Sequence, residues 1–553
     1  MNSATADSTC PAEAGVFCAR KHWSIYWLII VIAISVLSGR VLTLRNPDTK
    51  GESPFFSAND RSRWCTVRSL VDFGTFEIDD VIREKSDIHW DTIDKVQHIG
   101  ADGQLHFYSS KPPLLSVIVA GQYWAIKQVT GWRLDQQPVW IARVVLLLTN
   151  VLPFGLMLWF LASILERMLV ADWTRYFVLC SAAFGTFLST FAITLNNHLP
   201  AAVATMGVLY GLHRIMTLNQ RERFSDFALV GFMSTFATAC ELPAAILMLM
   251  ALILCVARSP RYSLLGWLPA ASLVVATFAF TSYKAHGFLE LAYAHRNDGA
   301  VAAVVHGDFS ELLDRAELPT QIVESIDRSS LSDSYRAMKL PTVQQGAWMG
   351  QSSDVLGRWV IRDAAGPQQI AITQSSKDVF QIHQWNNWYD YPGSYWLKSN
   401  DRRSAVDQGQ TSRTNYAFHV LFGHHGIFSL TPLWILSAAG LLALTLRRQF
   451  GLRWLGVMGI VASLVVVEFY LSREPHDRNY GGMTSGLRWA FWLIPIWLVA
   501  LAPIVQLMAG SKRGRAFCLL LLFASIISAA YSANNPWVHP WLYEIWNLTG
   551  LPK

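Results

Sequence analysis

Charged residues are scarce in this chain of 553 residues. Only 15% of positions carry Asp, Glu, Lys or Arg, whereas 52% are hydrophobic. A soluble protein of this length would carry charge at about a quarter of its positions, so the sequence predicts an all-α polytopic membrane protein. The net charge of +6 does not indicate a nucleic-acid partner, because the basic residues lie in short loops beside apolar stretches.

Paired cysteines and a cleavage signal are lacking as well. The seven cysteines show no metal-ligand spacing, and only Cys65 lies in a hydrophilic segment predicted outside, so we expect no disulfide framework. The first apolar stretch runs from Trp23 to about Leu44, after Arg20 and Lys21, without a small-x-small cleavage site. We interpret it as a retained signal anchor in the plasma (inner) membrane, with the N-terminus in the cytoplasm.

About eleven apolar spans can be drawn along the chain. Basic residues such as Arg167, Arg221, Arg447 and Arg448 then fall in inner loops, as the positive-inside rule requires. The predicted spans are residues 23–44, 138–164, 174–195, 198–216, 226–241, 243–257, 263–283, 426–446, 454–471, 487–509 and 515–533.

This layout divides the chain into five parts. Residues 113–130 are apolar, but if they crossed the membrane every later basic loop would face outward, so we expect a helix in the outer interface. The parts are a cytoplasmic tail (1–21), an N-terminal transmembrane module (22–283) with its first outer loop at 45–137, an outer insert (284–425), a C-terminal transmembrane module (426–533) and an outer tail (534–553).

Unusual polar clusters all fall on the outer side in this layout. A scaffold does not require such convergence, whereas a catalytic chamber that faces outward does. The clusters are residues 59–61, 109–113, 196–198, 241–243, 424–425 and 473–488.

The first cluster contains Asn59 and Asp60, just outside the first span. Asp60 is a candidate general base, which would take a proton from an acceptor hydroxyl as that oxygen attacks a sugar carbon. The alternative is a helix N-cap at Asn59 or Asp60, followed by a helix from Arg61 to Asp72, and composition favours the cap. Adjacent residues can fill both roles.

Lys111 and Arg488 are the candidate phosphate ligands. Lys111 precedes a Pro-Pro pair that starts an apolar helix and holds the lysine at the interface. Arg488 lies one turn inside a predicted span, where a lone cation is costly and bidentate contacts to phosphate would explain it. The alternatives are a snorkelling lysine and an ion pair of Arg488 with Glu468 or Glu241.

Two short turns add polar residues near the outer margin. Glu241 is a carboxylate at about membrane depth, which is a functional hypothesis by default, and its alternative is a buried salt bridge. Asn197 and His198 belong to a tight turn, where Asn is an ordinary turn former. A hairpin is also predicted from residues 95–99 and 104–108, around a turn at Gly100 to Gly103.

The last clusters contain His424, His425, Arg478 and Tyr480. Together with His419, the two histidines suggest metal, but neighbouring residues of a helix point apart, so no metal ligand is assigned. Glycines beside them predict a tight re-entry into the membrane with substrate contact. The aromatic run at 385–392 suits a sugar-stacking surface or an anchor in the outer leaflet.

The combination resembles the GT-C membrane glycosyltransferases, in particular the branch with the protein O-mannosyltransferases and the lipid A aminoarabinose transferase. The resemblance covers most of residues 22–510. It rests on Asn59 and Asp60, the Lys-Pro-Pro-Leu at 111–114, the turns at 196–198 and 241–243, and the Gly-Gly-x-x-x-Gly-x-Arg that ends at Arg488.

The resemblance implies a GT-C-type transmembrane bundle of about eleven spans with outward-facing α/β loops. It also implies transfer of a sugar, with inversion, from a polyprenyl-phosphate-linked donor to an acceptor hydroxyl on a lipid, glycan or protein. Asp60 would be the base, and Lys111 and Arg488 would hold the donor phosphate. Substrate or acceptor contacts are assigned to Asn59, Arg61, Tyr108, Asn197, His198, Glu241, His424, His425, Arg478 and Tyr480.

This chain differs from the family's pattern at two of the positions that carry the resemblance. Protein mannosyltransferases have an Asp-Glu pair where this chain has Asn59 and Asp60, and relatives often have a lysine near the turn where this chain has Glu241. The second departure suggests acceptor or metal contact there; no cofactor is assigned, and a divalent metal is left open. A lipid-sugar flippase or transporter is the alternative, but polar residues gathered at one face do not match the paired halves of transporters.

Overall fold

A computed structural model describes residues 12–44, 54–168, 170–217, 222–315, 317–329, 348–352, 355–363, 369–397, 407–446 and 452–549. The chain forms two compact units. The first comprises Met1–Phe56, Val129–Thr277 and Ala405–Lys553, and the second comprises Ser57–Gln128 and Phe278–Ser404. Predictions that concern residues 1–11, Arg221, Arg447, Arg448 and residues 550–553 lie outside the described residues.

Among the residues that the structure describes, seven helical segments are long and apolar enough to cross a membrane, and they indicate a multi-pass membrane protein. They are His22–Leu42, Pro138–Arg167, Asp172–Ile193, Pro260–His286, Arg453–Leu471, Arg488–Met508 and Lys512–Tyr531.

All eleven predicted spans fall on helices. Besides the seven segments, three shorter apolar helices cover Phe224–Cys240, Leu242–Arg258 and Leu433–Leu446. The remaining predicted span coincides with His198–Thr217, a helix of 20 residues. Eleven crossings and their orientation stay predictions, because only seven segments meet the length and hydropathy that a span requires.

The helices of the first unit are interrupted at several points. Its α-helices are Ala12–Leu42, Pro138–Leu146, Leu152–Arg167, Asp172–Phe184, Phe187–Thr190, His198–Thr217, Phe224–Cys240, Ala245–Arg258, Pro260–Tyr262, Arg413–Leu421, Ile427–Leu430, Leu433–Leu446, Arg453–Leu471, Ile494–Met508, Lys512–Tyr531 and Trp541–Thr549. Leu268–His286 begins in this unit and ends in the second. π-Helical turns cover Leu147–Val151 and Ser263–Trp267, and 3₁₀ turns cover Phe191–Ile193, Leu242–Ala244, Pro475–Asp477 and Arg488–Leu493.

The helix His198–Thr217 lies at the centre of the first unit. It packs against Phe224–Cys240, Leu152–Arg167 and the 3₁₀ turn Arg488–Leu493, and most of its side chains are buried. The 3₁₀ and π-helical turns that interrupt helices, such as Arg488–Leu493, often mark functional positions. The predicted residues His198 and Glu241 also lie at helix boundaries, since one begins a helix and the other ends one.

The second unit combines helices with two antiparallel sheets. The strands β1 (Lys95–Ile99) and β2 (Leu105–Ser109) form the predicted hairpin, with Lys95 opposite Ser109. The helix Ala58–Asp72 precedes this hairpin, and the helix Pro113–Thr130 follows it. The hairpin and the helix at 113–130 are confirmed as secondary structure, whereas the helix's place in the interface stays a prediction.

A five-stranded sheet forms the rest of this unit. Its order is β3-β7-β6-β5-β4, and its strands are β3 (Val301–His306), β4 (Trp348–Ser352), β5 (Arg358–Asp363), β6 (Gln369–Ser376) and β7 (Val379–Gln384). Alternate residues of these strands, among them Trp359, Ile361 and Phe380, pack against the short helices Ser310–Asp314 and Thr320–Arg328. The other short elements of the unit are Asp79–Arg83 and Ala292–Ala294.

Three aromatic residues of the run at 385–392 are buried and do not form the predicted sugar-stacking surface or leaflet anchor, whereas Trp385 is half-buried. Trp388 lies between the rings of His98 and His295, with centroid distances of 4.2 Å and 3.6 Å. Tyr389 and Tyr391 are also buried. Aromatic side chains stabilise cores as effectively as they bind sugars, so composition alone could not separate the two roles.

Candidate functional site

Four of the predicted residues come together in the first unit. The Arg488 guanidinium donates from Nε and Nη2 to the Gly481 carbonyl, at 3.0 Å and 2.9 Å. Its Nη1 lies 3.0 Å from His198 Nε2, and His198 Nδ1 contacts Glu241 Oε1. Asn197 Nδ2 donates to the same carboxylate oxygen at 2.7 Å. Arg488, His198, Glu241 and Asn197 thus form one polar network, which we call the Arg488 network.

The order of the contacts fixes the proton positions. An arginine only donates, so His198 Nε2 accepts from Arg488, and the proton of a neutral His198 lies on Nδ1 towards Glu241. The imidazole therefore stands between a guanidinium and a carboxylate. Of the two predicted ion-pair partners, Glu241 is linked to Arg488 through His198, whereas Glu468 contacts Arg413.

Local backbone geometry positions both ends of the Arg488 network. Gly481 has φ of +92°, a left-handed conformation that turns its carbonyl back towards Arg488 seven residues later. Asn196 Nδ2 bonds the Phe191 and Thr194 carbonyls, both at 2.8 Å, and so closes the turn that leads into the helix of His198. The predicted turn role of these asparagines is therefore confirmed for Asn196.

An aromatic ring completes the surroundings of Arg488. The guanidinium carbon lies 4.9 Å from the ring centroid of Trp537. Trp537 is held by a hydrogen bond from its Nε1 to Thr194 Oγ1, at 3.2 Å. A cation on an aromatic face, fixed by the Gly481 carbonyl and an imidazole, is held in one orientation before any ligand arrives.

The predicted histidines form a second cluster in the same unit. His424 Nδ1 lies 2.6 Å from His425 Nδ1, and His425 stacks on Tyr480 with centroids 4.4 Å apart. Burial, together with the neighbouring His424, lowers the pKa of His425 well below its usual range, so its imidazole is neutral. In the part of the chain that the structure describes, no three His, Cys, Asp or Glu side chains are arranged to hold a metal ion.

Arg478 is engaged with backbone carbonyls. Its Nε donates to Arg473 at 2.8 Å, and its Nη1 donates to Thr411 at 3.0 Å. The Arg478 carbonyl in turn accepts from the backbone of Gln410. These bonds support the loop before Tyr480 and account for Arg478 without a ligand.

In the second unit, Asp60 belongs to a capping box. The helix Ala58–Asp72 has Ser57 as its N-cap, and Asp60 is its third residue. Asp60 Oδ1 accepts from the Ser57 backbone at 2.8 Å, from the Ser57 hydroxyl at 3.1 Å and from the Arg61 backbone at 2.8 Å. The predicted capping role of this cluster is confirmed, but the N-cap itself is Ser57 rather than Asn59 or Asp60. The Ser-x-x-Asp spacing could have revealed it.

The neighbours of Asp60 on this helix also have partners. Arg63 Nη1 donates to the backbone oxygen of Asn59 at 3.0 Å and contacts its side chain. Arg61 Nη1 donates to the Asp91 carbonyl at 2.8 Å. These contacts fix the helix start, so Asn59 and Arg61 have structural roles whether or not they meet a substrate.

Lys111 is paired with a carboxylate that the sequence did not single out. Its Nζ lies 2.9 Å from Asp94 Oδ2, and both side chains are largely buried. The hydroxyls of Ser62 and Ser109 lie 2.6 Å apart and tie the helix of Asp60 to the strand end before Lys111. Lys111 is thus a held cation rather than a snorkelling one.

Tyr108 lies in the core of the second unit. Its ring stacks on His98, with centroids 4.0 Å apart and planes 6° apart. Burial, with the nearby Glu77, raises the pKa of the Tyr108 hydroxyl. This packing explains Tyr108 without an acceptor.

Comparisons with known proteins give structural neighbours only. No family model and no curated protein matches the sequence. The S. cerevisiae protein O-mannosyltransferase Pmt1-Pmt2 complex bound to the sugar donor has a TM-score of 0.46 and 11% identity, over 96% of this chain and 92% of that chain. The apo oligosaccharyltransferase of Archaeoglobus fulgidus has a TM-score of 0.43 and 12% identity, over 93% of this chain and 56% of that chain.

A further neighbour is AglB from Archaeoglobus fulgidus in complex with an inhibitory peptide and a dolichol-phosphate. Its TM-score is 0.42 at 11% identity, over 97% of this chain and 59% of that chain. This chain therefore spans less than two thirds of the archaeal proteins' length. The neighbours are GT-C glycosyltransferases, the family that the sequence resembles. At these scores the likeness assigns no substrate or residue role to this chain.

Proposed function

We propose that this chain is an integral membrane glycosyltransferase. It transfers a sugar, with inversion, from a polyprenyl-phosphate-linked donor to an acceptor hydroxyl on the extracytoplasmic side of the plasma (inner) membrane. Its N-terminus is cytoplasmic, and the acceptor is a lipid, a glycan or a protein. The observation that carries the proposal is the Arg488 network, which holds a cation at the start of an apolar helix.

The cations suit a phosphate leaving group. The Gly481 carbonyl, His198 and Trp537 orient Arg488, and Asp94 orients Lys111. Neither cation has to reorganise when negative charge develops on the donor phosphate. Groups fixed in advance stabilise a transition state more than mobile ones do.

The transfer is a single displacement. The acceptor oxygen bonds to the anomeric carbon from the face opposite the phosphate, and the bond from that carbon to the phosphate oxygen breaks. Its electron pair leaves with the lipid phosphate, and the acceptor proton passes to a carboxylate. Contacts that strengthen as the phosphate gains charge lower the barrier.

Asp60 is the proposed proton acceptor. Its carboxylate is buried and is oriented through Oδ1 by the capping box. A cap and a base are compatible, because a carboxylate has two oxygens and about four lone-pair sites. The cap means, however, that loss of activity on substitution does not by itself assign the base.

Two variants separate the cap from the base. Asp60→Asn removes the proton acceptor and weakens the cap, whereas Ser57→Ala weakens the same cap and keeps the carboxylate. Each should lower stability by about 1 kcal/mol. If Asp60 is the base, Asp60→Asn should reduce donor consumption in membranes by about 10²–10⁴-fold, and Ser57→Ala should not.

The sugar and acceptor are found first by comparing lipid-linked sugars, surface glycolipids, glycans and glycoproteins in cells with and without the gene. If the lipid-linked sugars, glycolipids, glycans and glycoproteins are all the same in both kinds of cell, the proposed function is contradicted. Full activity in folded Asp60→Asn, or equal losses in the two variants, would remove Asp60 as the base and leave the proposed reaction to another carboxylate.

A further inference from the structure

Arg40 is a cation in the first unit that belongs to none of the polar clusters described above. It lies near the end of the apolar segment His22–Leu42. Its Nη1 donates to the Ser189 carbonyl at 2.9 Å, and its Nη2 contacts the carbonyls of Thr190 and Ala533. Within the described ranges, no carboxylate lies within ion-pair distance of Arg40, and its buried Nε has no hydrogen-bond partner.

A cavity of about 310 Å³ adjoins this side chain. Its lining combines Arg40 and the polar Thr43 and Asn534 with the apolar Leu44 and Ile193. The volume is at the lower end of the roughly 300–1,000 Å³ that small-ligand sites occupy. The cavity therefore offers space for a small polar group with the first part of an apolar chain.

A second positive charge lies at the same helix end. Arg143 Nη2 donates to the Leu44 carbonyl at 3.4 Å, and Leu44 lines the cavity. Arg40 is held by the carbonyls of Ser189 and Thr190, which lie at the end of another helix, Phe187–Thr190. Carbonyl dipoles at a helix end favour cations. Dipoles do not cancel a full charge, so an anion would still be attracted to the cavity.

We propose that Arg40 and this cavity bind a phosphate ester. A guanidinium attracts phosphate oxygens, and Nη1 of Arg40 keeps a second N–H beside the one it gives to Ser189. Ionisable groups of apolar segments are functional hypotheses by default. The apolar part of the lining suits the beginning of a lipid chain. The site is additional to the donor-phosphate contacts proposed for Lys111 and Arg488, and it does not depend on them.

Lipid binding to the whole chain tests the proposal without measuring activity. The protein is placed in nanodiscs of phosphatidylcholine alone or with added phosphatidic acid, released, and weighed by native mass spectrometry. A parallel arm measures the thermal shift with inorganic phosphate. Retention of phosphatidic acid over phosphatidylcholine supports a lipid source, and stabilisation by inorganic phosphate supports a soluble one.

Thr43 provides a matched pair of variants that leaves Arg40 intact. Thr43 is exposed and lines the cavity, so both Thr43→Glu and Thr43→Gln should fold. The carboxylate of Thr43→Glu would compete with phosphate for Arg40 and lower its binding about tenfold or more, which corresponds to 1.4 kcal/mol. The uncharged Thr43→Gln has almost the same size and should bind as the natural chain does.

A direct variant completes the test. Arg40→Gln should lose the binding of phosphatidic acid or inorganic phosphate. If Arg40→Gln fails to fold, the comparison of Thr43→Glu with Thr43→Gln tests the proposal alone. Equal binding by Thr43→Glu and Thr43→Gln would overturn the proposal. So would the absence of any preference for phosphatidic acid together with no effect of inorganic phosphate.

Discussion

Acidification should loosen the second unit through His98. The His98 ring is buried between Tyr108 and Trp388, and its Nδ1 lies 3.0 Å from the Ile99 carbonyl. A carbonyl only accepts, so the proton of neutral His98 lies on Nδ1. Its Nε2, 3.0 Å from His286 Nδ1, therefore accepts a hydrogen bond from that ring. A second proton on His98 would place two donors against each other.

The size and sign of the effect follow from the pKa. Burial lowers the pKa of His98 from its usual 6.5 to about 4. Between these values the unfolded chain binds more protons than the folded one, so stability falls as the pH drops below 6.5 and levels off near 4. The full loss is about 3 kcal/mol, of which about 2 kcal/mol falls between roughly pH 7 and pH 5.

Hydrogen exchange of the hairpin β1–β2 measures this loss in the whole protein. After correction for the intrinsic pH dependence of exchange, the protection of residues 95–109 should fall about 20–30-fold over this range, if opening exposes His98. His98→Gln removes the titrating ring and leaves the nearby His106 and His295 in place. The reasoning is refuted if the natural chain and His98→Gln show the same pH dependence.

Two further predictions concern the proposed cations. Gly481→Ala would strain a residue with φ of +92° and place a Cβ 3.0 Å from Arg488 Nε, whereas Gly482→Ala carries similar strain (φ +76°) without that contact. We expect about 1 kcal/mol of instability in both, and a further loss of turnover only in Gly481→Ala; equal turnover would contradict the role of Arg488. Asp94→Asn removes the buried carboxylate that orients Lys111, so kcat in a donor titration should fall several-fold if Lys111 stabilises the leaving phosphate, and an unchanged kcat would refute this.

Local regularities were predictable from the sequence. The eleven apolar stretches fall on helices. For a stretch that crosses a membrane, a helix satisfies its backbone groups within the segment, so length and composition predict it. The hairpin β1–β2 was predicted because Gly103, with φ of +79°, follows the turn pattern between two short strands. A cap near Asp60 was predicted for a similar reason, since capping depends on residues only three positions apart.

Long-range contacts were not predictable in the same way. Asp94 pairs with Lys111 only because the hairpin β1–β2 brings its two ends together, and Arg40 meets carbonyls that lie about 150 and 490 positions away in sequence. The burial of Trp388, Tyr389 and Tyr391 was not predictable for the same reason. Trp388 packs against His98, 290 positions earlier, with ring centroids 4.2 Å apart. Composition identifies the kinds of contact a segment can make, but only the fold selects the partners.

The Arg488 network shows how the predicted alternatives for this arginine combine. A direct bidentate pair with Glu241 would consume the donors that a phosphate needs, and breaking such a buried pair costs about 3–5 kcal/mol. With His198 between them, Glu241 orients the imidazole, and the imidazole takes one of the guanidinium donors. The carboxylate thus helps to hold the cation while its charge is one ring farther away, and Coulomb attraction falls with that distance. An indirect partner of this kind stabilises Arg488 in the absence of a ligand and still leaves a net attraction for an incoming phosphate.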